Sequence, residues 1–351
     1  MDPLIEPAVA VAVPLVLALL VGHWNARRAW IASGLLVVGL GLGAHYGAVA
    51  LEARGAGGPW DNLWMVLVWV EFTLLIRWAG GFPLRGPLGP LAFLGGALIG
   101  EIGATLLLSP RAGSRSNAAR VALTASAGAL ISPLGSPVTL LVLEPGQLGW
   151  GLPVALALLS WPRGWAQDDP LRPVLPLTSN GINRNLGVVA FTLAALVLGP
   201  SPLWALFAGC MALMILNIRT QGKPPSSWGV QIWIASVAGL VFLSQSSGAF
   251  WEIKEGINLL FENAPIFYDG LAVLAGAVVS VIATEEAGAM LVSSLADTGL
   301  HELNSTALAA LGAGMAVGGL GPLLLSGAFI AGLRIWMLQI GVVVFWFTVL
   351  H

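Results

Sequence analysis

The sequence predicts an all-α polytopic membrane protein built from two inverted repeats, with about ten transmembrane spans. Three observations carry this reading. Of the 351 residues, 57% are hydrophobic and only 9% charged, with a mean hydropathy of +0.87, where soluble domains carry roughly 25% charged residues. The apolar residues come in blocks close to the length that crosses a hydrocarbon core, and no run alternates apolar and polar residues as a membrane β-barrel strand does. Blocks of the first half also recur in the second. Other function classes fall away on the same grounds. Fifteen Lys/Arg against 17 Asp/Glu give a net charge of −2, and without a basic cluster nucleic acid has no electrostatic footing. The single cysteine, Cys210, excludes an internal disulfide. Fifteen Trp against two Tyr, many at segment ends, read as interfacial anchors.

Apolar segments are predicted at 7–22, 29–50, 60–78, 88–108, 121–143 and 147–161, making residues 1–161 the first membrane repeat. The first segment has no basic start and no small-residue cleavage site, so a signal peptide is not expected. Residues 162–185 carry Arg163, Asp168, Asp169, Arg172 and Arg184 and read as a cytoplasmic linker. Segments at 186–199, 203–218, 229–245, 268–295, 306–328 and 329–350 then make 186–351 the second repeat. The stretch 250–263 reads as an amphipathic helix on the outer surface.

The repetition rests on three collinear blocks. Residues 91–100 (LAFLGGALIG) match 271–280 (LAVLAGAVVS) at five of ten positions. Residues 101–109 (EIGATLLLS) match 286–294 (EAGAMLVSS) at five of nine, and 127–135 (AGALISPLG) match 313–321 (AGMAVGGLG) at four of nine. The offsets are 180, 185 and 186. Basic residues orient the halves, because cytoplasmic loops retain Lys and Arg. Arg77 and Arg85 precede 88–108, and Arg111, Arg115 and Arg120 follow it. Both groups stay inside only if 88–108 is a re-entrant hairpin, for which Gly95, Gly96, Gly100 and Gly103 supply a turn. Segment 268–295 is flanked by Glu252, Glu255, Glu262, Asp297 and Glu302, so the second hairpin enters from outside. Both termini are then expected outside.

Carboxylates in membrane segments cost roughly 2.5–3.5 kcal/mol each on insertion scales, so each needs a reason. Glu101 and Glu286 stand at matched hairpin turns, with Thr284 and Glu285 beside the second. Inverted repeats bring such turns together near the midplane. There, desolvation favours a protonated carboxyl and a bound cation favours an ionised one; that competition is antiport chemistry. Capping of a half-helix N-terminus is the structural alternative. Downstream of each hairpin a segment is broken by Gly and Pro, at 132–137 (SPLGSP) and 318–322 (GGLGP). Carbonyls freed around Gly135, Gly319 and Gly321, with the hydroxyls of Ser132, Ser136 and Thr139, are hard oxygen ligands. Glu71 joins a proton path or pairs with an Arg in the scaffold. His23, His45, His301 and His351 have no metal-ligand spacing, and no resident cofactor or metal beyond the transported cation is expected. Tyr268-Asp269 with 319–321 faintly suggests an aspartyl protease, but position 322 is Pro322 where a second aspartate is needed. No enzyme is expected.

The hairpin run GEIGATLLLSP (100–110), the broken helix ending in SPLGSP and their second-repeat counterparts resemble the ion-transporter superfamily, in its sodium/proton antiporter and arsenite-efflux branch. That family places Asn or Asp at the hairpin turn, where this chain has Glu101 and Glu285-Glu286, and the Ser-Asn-Thr motif of its dicarboxylate carriers is absent. The resemblance implies an elevator-like movement and a homodimer. The expected function is exchange of a small cation, Na⁺ first among candidates, for protons across a prokaryotic inner membrane. The alternatives are a carrier of arsenite, bicarbonate or another small oxyanion, and a non-transporting assembly subunit. Expected partners are the bilayer and the ion itself.

Overall fold

The computed structural model describes residues 60–79, 86–143, 147–166, 179–199, 201–221, 268–283, 288–290 and 305–350, with Val13, Leu17, Glu285, Val292 and Ser293. The described residues are 84% helical and contain no strand. By contact the chain divides into two compact units. One comprises 1–67, 226–266 and 290–302; the other comprises 68–225, 267–289 and 303–351 and holds nearly all described elements. The segments predicted at 7–22, 29–50 and 229–245, the surface helix at 250–263 and all four histidines lie outside the described residues.

Helix α1 (Trp60–Ala79) follows the predicted segment to within a residue. The 88–108 segment forms two helices, α2 (Leu88–Ile99) and α3 (Glu101–Leu108), which pack against each other. Of the four glycines predicted to supply the turn, Gly100 does so, with φ +76°, a region that L side chains avoid. Gly95 and Gly96 lie inside α2. After a 3₁₀ turn at Ser109–Arg111, α4 (Arg115–Ala129) begins six residues before the predicted 121, because Ser114 caps it by accepting the Asn117 N–H at 3.2 Å. Short α5 (Pro137–Leu141) and α6 (Gly151–Ser160) follow.

Helix α7 (Ser179–Leu198) extends into the stretch predicted as linker, and α8 (Pro202–Gln221) packs along it. The early start has a physical reason. Asn185 and Asn217 exchange amide hydrogen bonds at 3.2 and 3.0 Å, and Asn185 also donates to the Ala79 carbonyl at 3.1 Å. Polar residues at this end of α7 thus have partners on α8 and α1, which is how polar groups join helices away from water. Last come α9 (Tyr268–Ala283), α10 (Ser305–Gly318), α11 (Gly321–Leu325) and α12 (Phe329–Phe345), the last running into a π-helical turn at Trp346–Leu350.

Among the described residues, three stretches are long and apolar enough to cross a membrane: Pro202–Arg219, Thr306–Leu325 and Phe329–Val349. Leu88, Ala92, Leu108, Ala119, Ala122 and Leu323 share one buried core between α2, α3, α4 and α11. Glycines set the closest crossings. A Cβ on Gly96 would overlap the Ala125 carbonyl, and one on Gly128 the Phe93 carbonyl, so α2 and α4 touch backbone to backbone. Helices α9 and α10 cross the same way, through Gly276 against Leu311 and Gly314 against Val273. Positions 93, 96, 125 and 128 correspond to 273, 276, 311 and 314 at the offsets of 180 and 186 found in the sequence. The buried Gln339 of α12 places its amide nitrogen 3.1 Å from the Leu156 carbonyl, 3.2 Å from Ser160 Oγ and 3.4 Å from the Leu123 carbonyl.

Candidate functional site

The first break, between α4 and α5, is closed on itself. Ser132 Oγ accepts the Leu134 N–H, and the Ser132 carbonyl accepts the Gly135 N–H at 2.8 Å. Ser136 and Thr139 form a reciprocal capping box at the start of α5, and Thr139 Oγ1 donates to the Ser132 carbonyl at 2.8 Å. The carbonyls of the turn face the hairpin and are engaged there. Glu101 N–H donates to the Gly135 carbonyl at 3.0 Å, and Trp69 Nε1 of α1 donates to the Leu134 carbonyl at 2.9 Å. Gly100 fits between them, because a Cβ would stand 2.9 Å from Thr73 Cγ2 and 3.0 Å from the Trp69 ring. A Cβ on Gly135 would overlap the Ala129 carbonyl. Ser132, Gly135, Ser136 and Thr139 thus lie together beside the Glu101 backbone. Their oxygens are occupied by protein donors.

The second break, between α10 and α11, is open. Pro322 carries no N–H, so the Gly318 carbonyl loses its helical donor. Leu320, at the N-cap of α11, has no side-chain cap. At the offset of 186, the hydroxyls of Ser132, Ser136 and Thr139 correspond to Gly318, Pro322 and Leu325, none of which can cap a turn. The polar groups here come instead from the end of α9. A Cβ on Gly319 would stand 2.8 Å from Glu285 Oε2 and 3.5 Å from Ser280 Oγ, so the glycine leaves the space that both oxygens face. Glu285 is 5% exposed and Ser280 2%. Ser280 Oγ has no hydrogen-bond partner among the described residues, a costly state for a buried hydroxyl and one that a bound cation relieves. Space beside Gly321 is open as well.

Thr284 and Glu286 of the predicted set lie outside the described residues. Glu101 is 2% exposed and stands at the first residue of α3, where the helix dipole favours a carboxylate. Glu71 is half-buried in α1. Sequence reasoning missed Ser280, which the offset of 180 aligns with Gly100. It also missed the buried Thr105 of α3 and Ser109 of the 3₁₀ turn after it, which continue from Glu101 at four-residue spacing and whose hydroxyls have no partner among the described residues. The signal was present in both cases as a polar residue in an apolar run, and for Thr105 and Ser109 also as four-residue spacing from Glu101. Among the described residues, no three His, Cys, Asp or Glu side chains gather as a metal cluster would. The second break instead gathers one carboxylate and one hydroxyl beside the Gly318 carbonyl that Pro322 leaves without its helical donor, an oxygen set suited to a hard monovalent cation or a proton.

No protein-family model matches the chain, and no curated protein sequence matches it.

Proposed function

We propose that the protein is a multi-pass secondary transporter that exchanges a small cation, Na⁺ first, for protons. The observation that carries the reading is the cradle at the second break, where Glu285 Oε2 and Ser280 Oγ face the space at Gly319. A proton and a cation in the cradle would compete for this one carboxylate. Glu101, with Glu286, supports the exchange as the matched carboxyl of the other hairpin. A small oxyanion is a poorer fit, because a buried carboxylate would repel it.

A membrane location is supported by the three spanning stretches and by the outer stripe of α8, where Trp204, Phe207, Met211, Ile215 and Ile218 are exposed at helical spacing. The matched glycine crossings support a duplicated architecture. Its inverted sense, the ten spans, outside termini, a homodimer, an elevator movement, a prokaryotic inner membrane and membership of the ion-transporter superfamily complete the proposal. In proteoliposomes an imposed Na⁺ gradient should drive proton movement, and Glu285→Gln should abolish it. Proton movement that ignores Na⁺ but follows an arsenite or bicarbonate gradient would replace the cation reading with the anion one. Cysteines introduced at Ser114 and Ser305 should label from opposite sides; labelling from one side would end the inverted topology.

A further inference from the structure

Away from both breaks, α7 and α8 enclose a groove of about 290 Å³ lined by Arg184, Gly187, Phe191, Thr192, Gly209 and Ala212 among others. Its walls are apolar except at two points. At one end Arg184 Nη2 donates to the Leu216 carbonyl at 2.9 Å and lies 3.5 Å from Asn217 Oδ1. These bonds fix the guanidinium and leave its other N–H groups without a partner among the described residues. Arg219, in the last turn of α8, adds positive charge at the same end. Further along, Thr192 Oγ1 lies 2.5 Å from where a Gly209 Cβ would stand. Thr192 is 1% exposed, and its hydroxyl has no partner among the described residues.

We propose that this groove binds one anionic phospholipid. The fixed guanidinium takes the phosphate, the glycerol segment lies along Gly187 and Phe191, and Thr192 donates to an ester carbonyl, from which the acyl chain runs on. A planar guanidinium with free donors matches a phosphate group bidentately. Arg184 and Thr192 are eight residues apart, about 12 Å along the helix, so a ligand that serves both has the length of a lipid and not of a free phosphate ion. The inference rests on the membrane location but not on transport, so it survives if cation exchange fails.

Native mass spectrometry of the detergent-solubilised full chain tests it, with phosphatidylglycerol, phosphatidylcholine and inorganic phosphate as probes. Phosphatidylglycerol should remain bound as a single adduct, more tightly than phosphatidylcholine. Arg184→Gln should weaken it about fivefold, the scale of one basic residue at an anionic surface. Gly187→Phe, whose side chain enters open space beside the groove, should displace the glycerol segment and lower retention with the melting temperature unchanged. Equal retention of both lipids, unchanged retention in both variants, or displacement of the lipid by millimolar phosphate would each overturn the proposal.

Discussion

The two helix breaks occupy corresponding places in the chain and differ in where their polar groups come from. The first draws on its own residues: Ser132, Ser136 and Thr139 satisfy the turn, while Trp69 and Glu101 N–H take up its carbonyls. The second has no hydroxyl of its own and faces Glu285 and Ser280 across the gap at Gly319. A break whose hydrogen bonds are complete is a rigid joint. One that leaves a buried hydroxyl without a partner has capacity for a ligand. Residue types at four positions separate them: Ser132, Ser136 and Thr139 of the first break align with Gly318, Pro322 and Leu325, whereas Ser280 stands where the offset of 180 places Gly100.

The sharpest way to break this contrast is to neutralise each carboxylate in turn. Glu285→Gln should abolish Na⁺-driven proton movement in proteoliposomes, whereas Glu101→Gln should leave measurable exchange; equal loss in both would erase the distinction. Next come the glycines. Gly319→Ala should raise the KM for Na⁺ about tenfold or more, a factor worth about 1.4 kcal/mol, because its Cβ would crowd Glu285 Oε2. Gly135→Ala should instead lower thermal stability by about 1–3 kcal/mol, since backbone cannot yield as a side chain does; a denaturation curve in detergent reads this directly. The hydroxyls give smaller effects of opposite kind. Ser280→Ala should weaken Na⁺ affinity about fivefold with an unchanged melting temperature, because no hydrogen bond among the described residues is lost. Ser136→Ala should cost about 1 kcal/mol of stability through the lost cap and leave Na⁺ affinity alone. The smallest effect is that of Trp69→Phe, which removes the bond to the Leu134 carbonyl and should cost about 1 kcal/mol or less, read in the same melts.

Much of this arrangement was legible in the sequence. The breaks at 132–137 and 318–322 follow from proline and glycine chemistry, which acts locally. The offsets of 180 and 186 pair the glycines that clasp α2 to α4 and α9 to α10 because close crossings admit no side chain at those positions. What the sequence left open was the direction of hydrogen bonds. Ser132, Ser136 and Thr139 look like ion ligands until their own backbone neighbours are seen to claim them. The helix starts at Arg115 and Ser179 were also missed, since a hydropathy pattern marks where apolar residues begin, whereas Ser114 and the Asn185–Asn217 pair carry helix into polar sequence.

Gln339 has a consequence for the order in which the chain matures. Its amide brackets α4 and α6 from positions 216 residues after Leu123 and 183 after Leu156. A ribosome delivers those helices long before it delivers Gln339, and chains fold from the N-terminal end as they emerge. Until α12 arrives, the Leu123 and Leu156 carbonyls and the Ser160 hydroxyl lack the donor that joins them. Helix α12 therefore adds a late fastening to the Thr124–Ser160 hydrogen bonds that already join α4 to α6: a polypeptide cut short before it keeps its early helices with one tie fewer, which gives quality control a difference to act on.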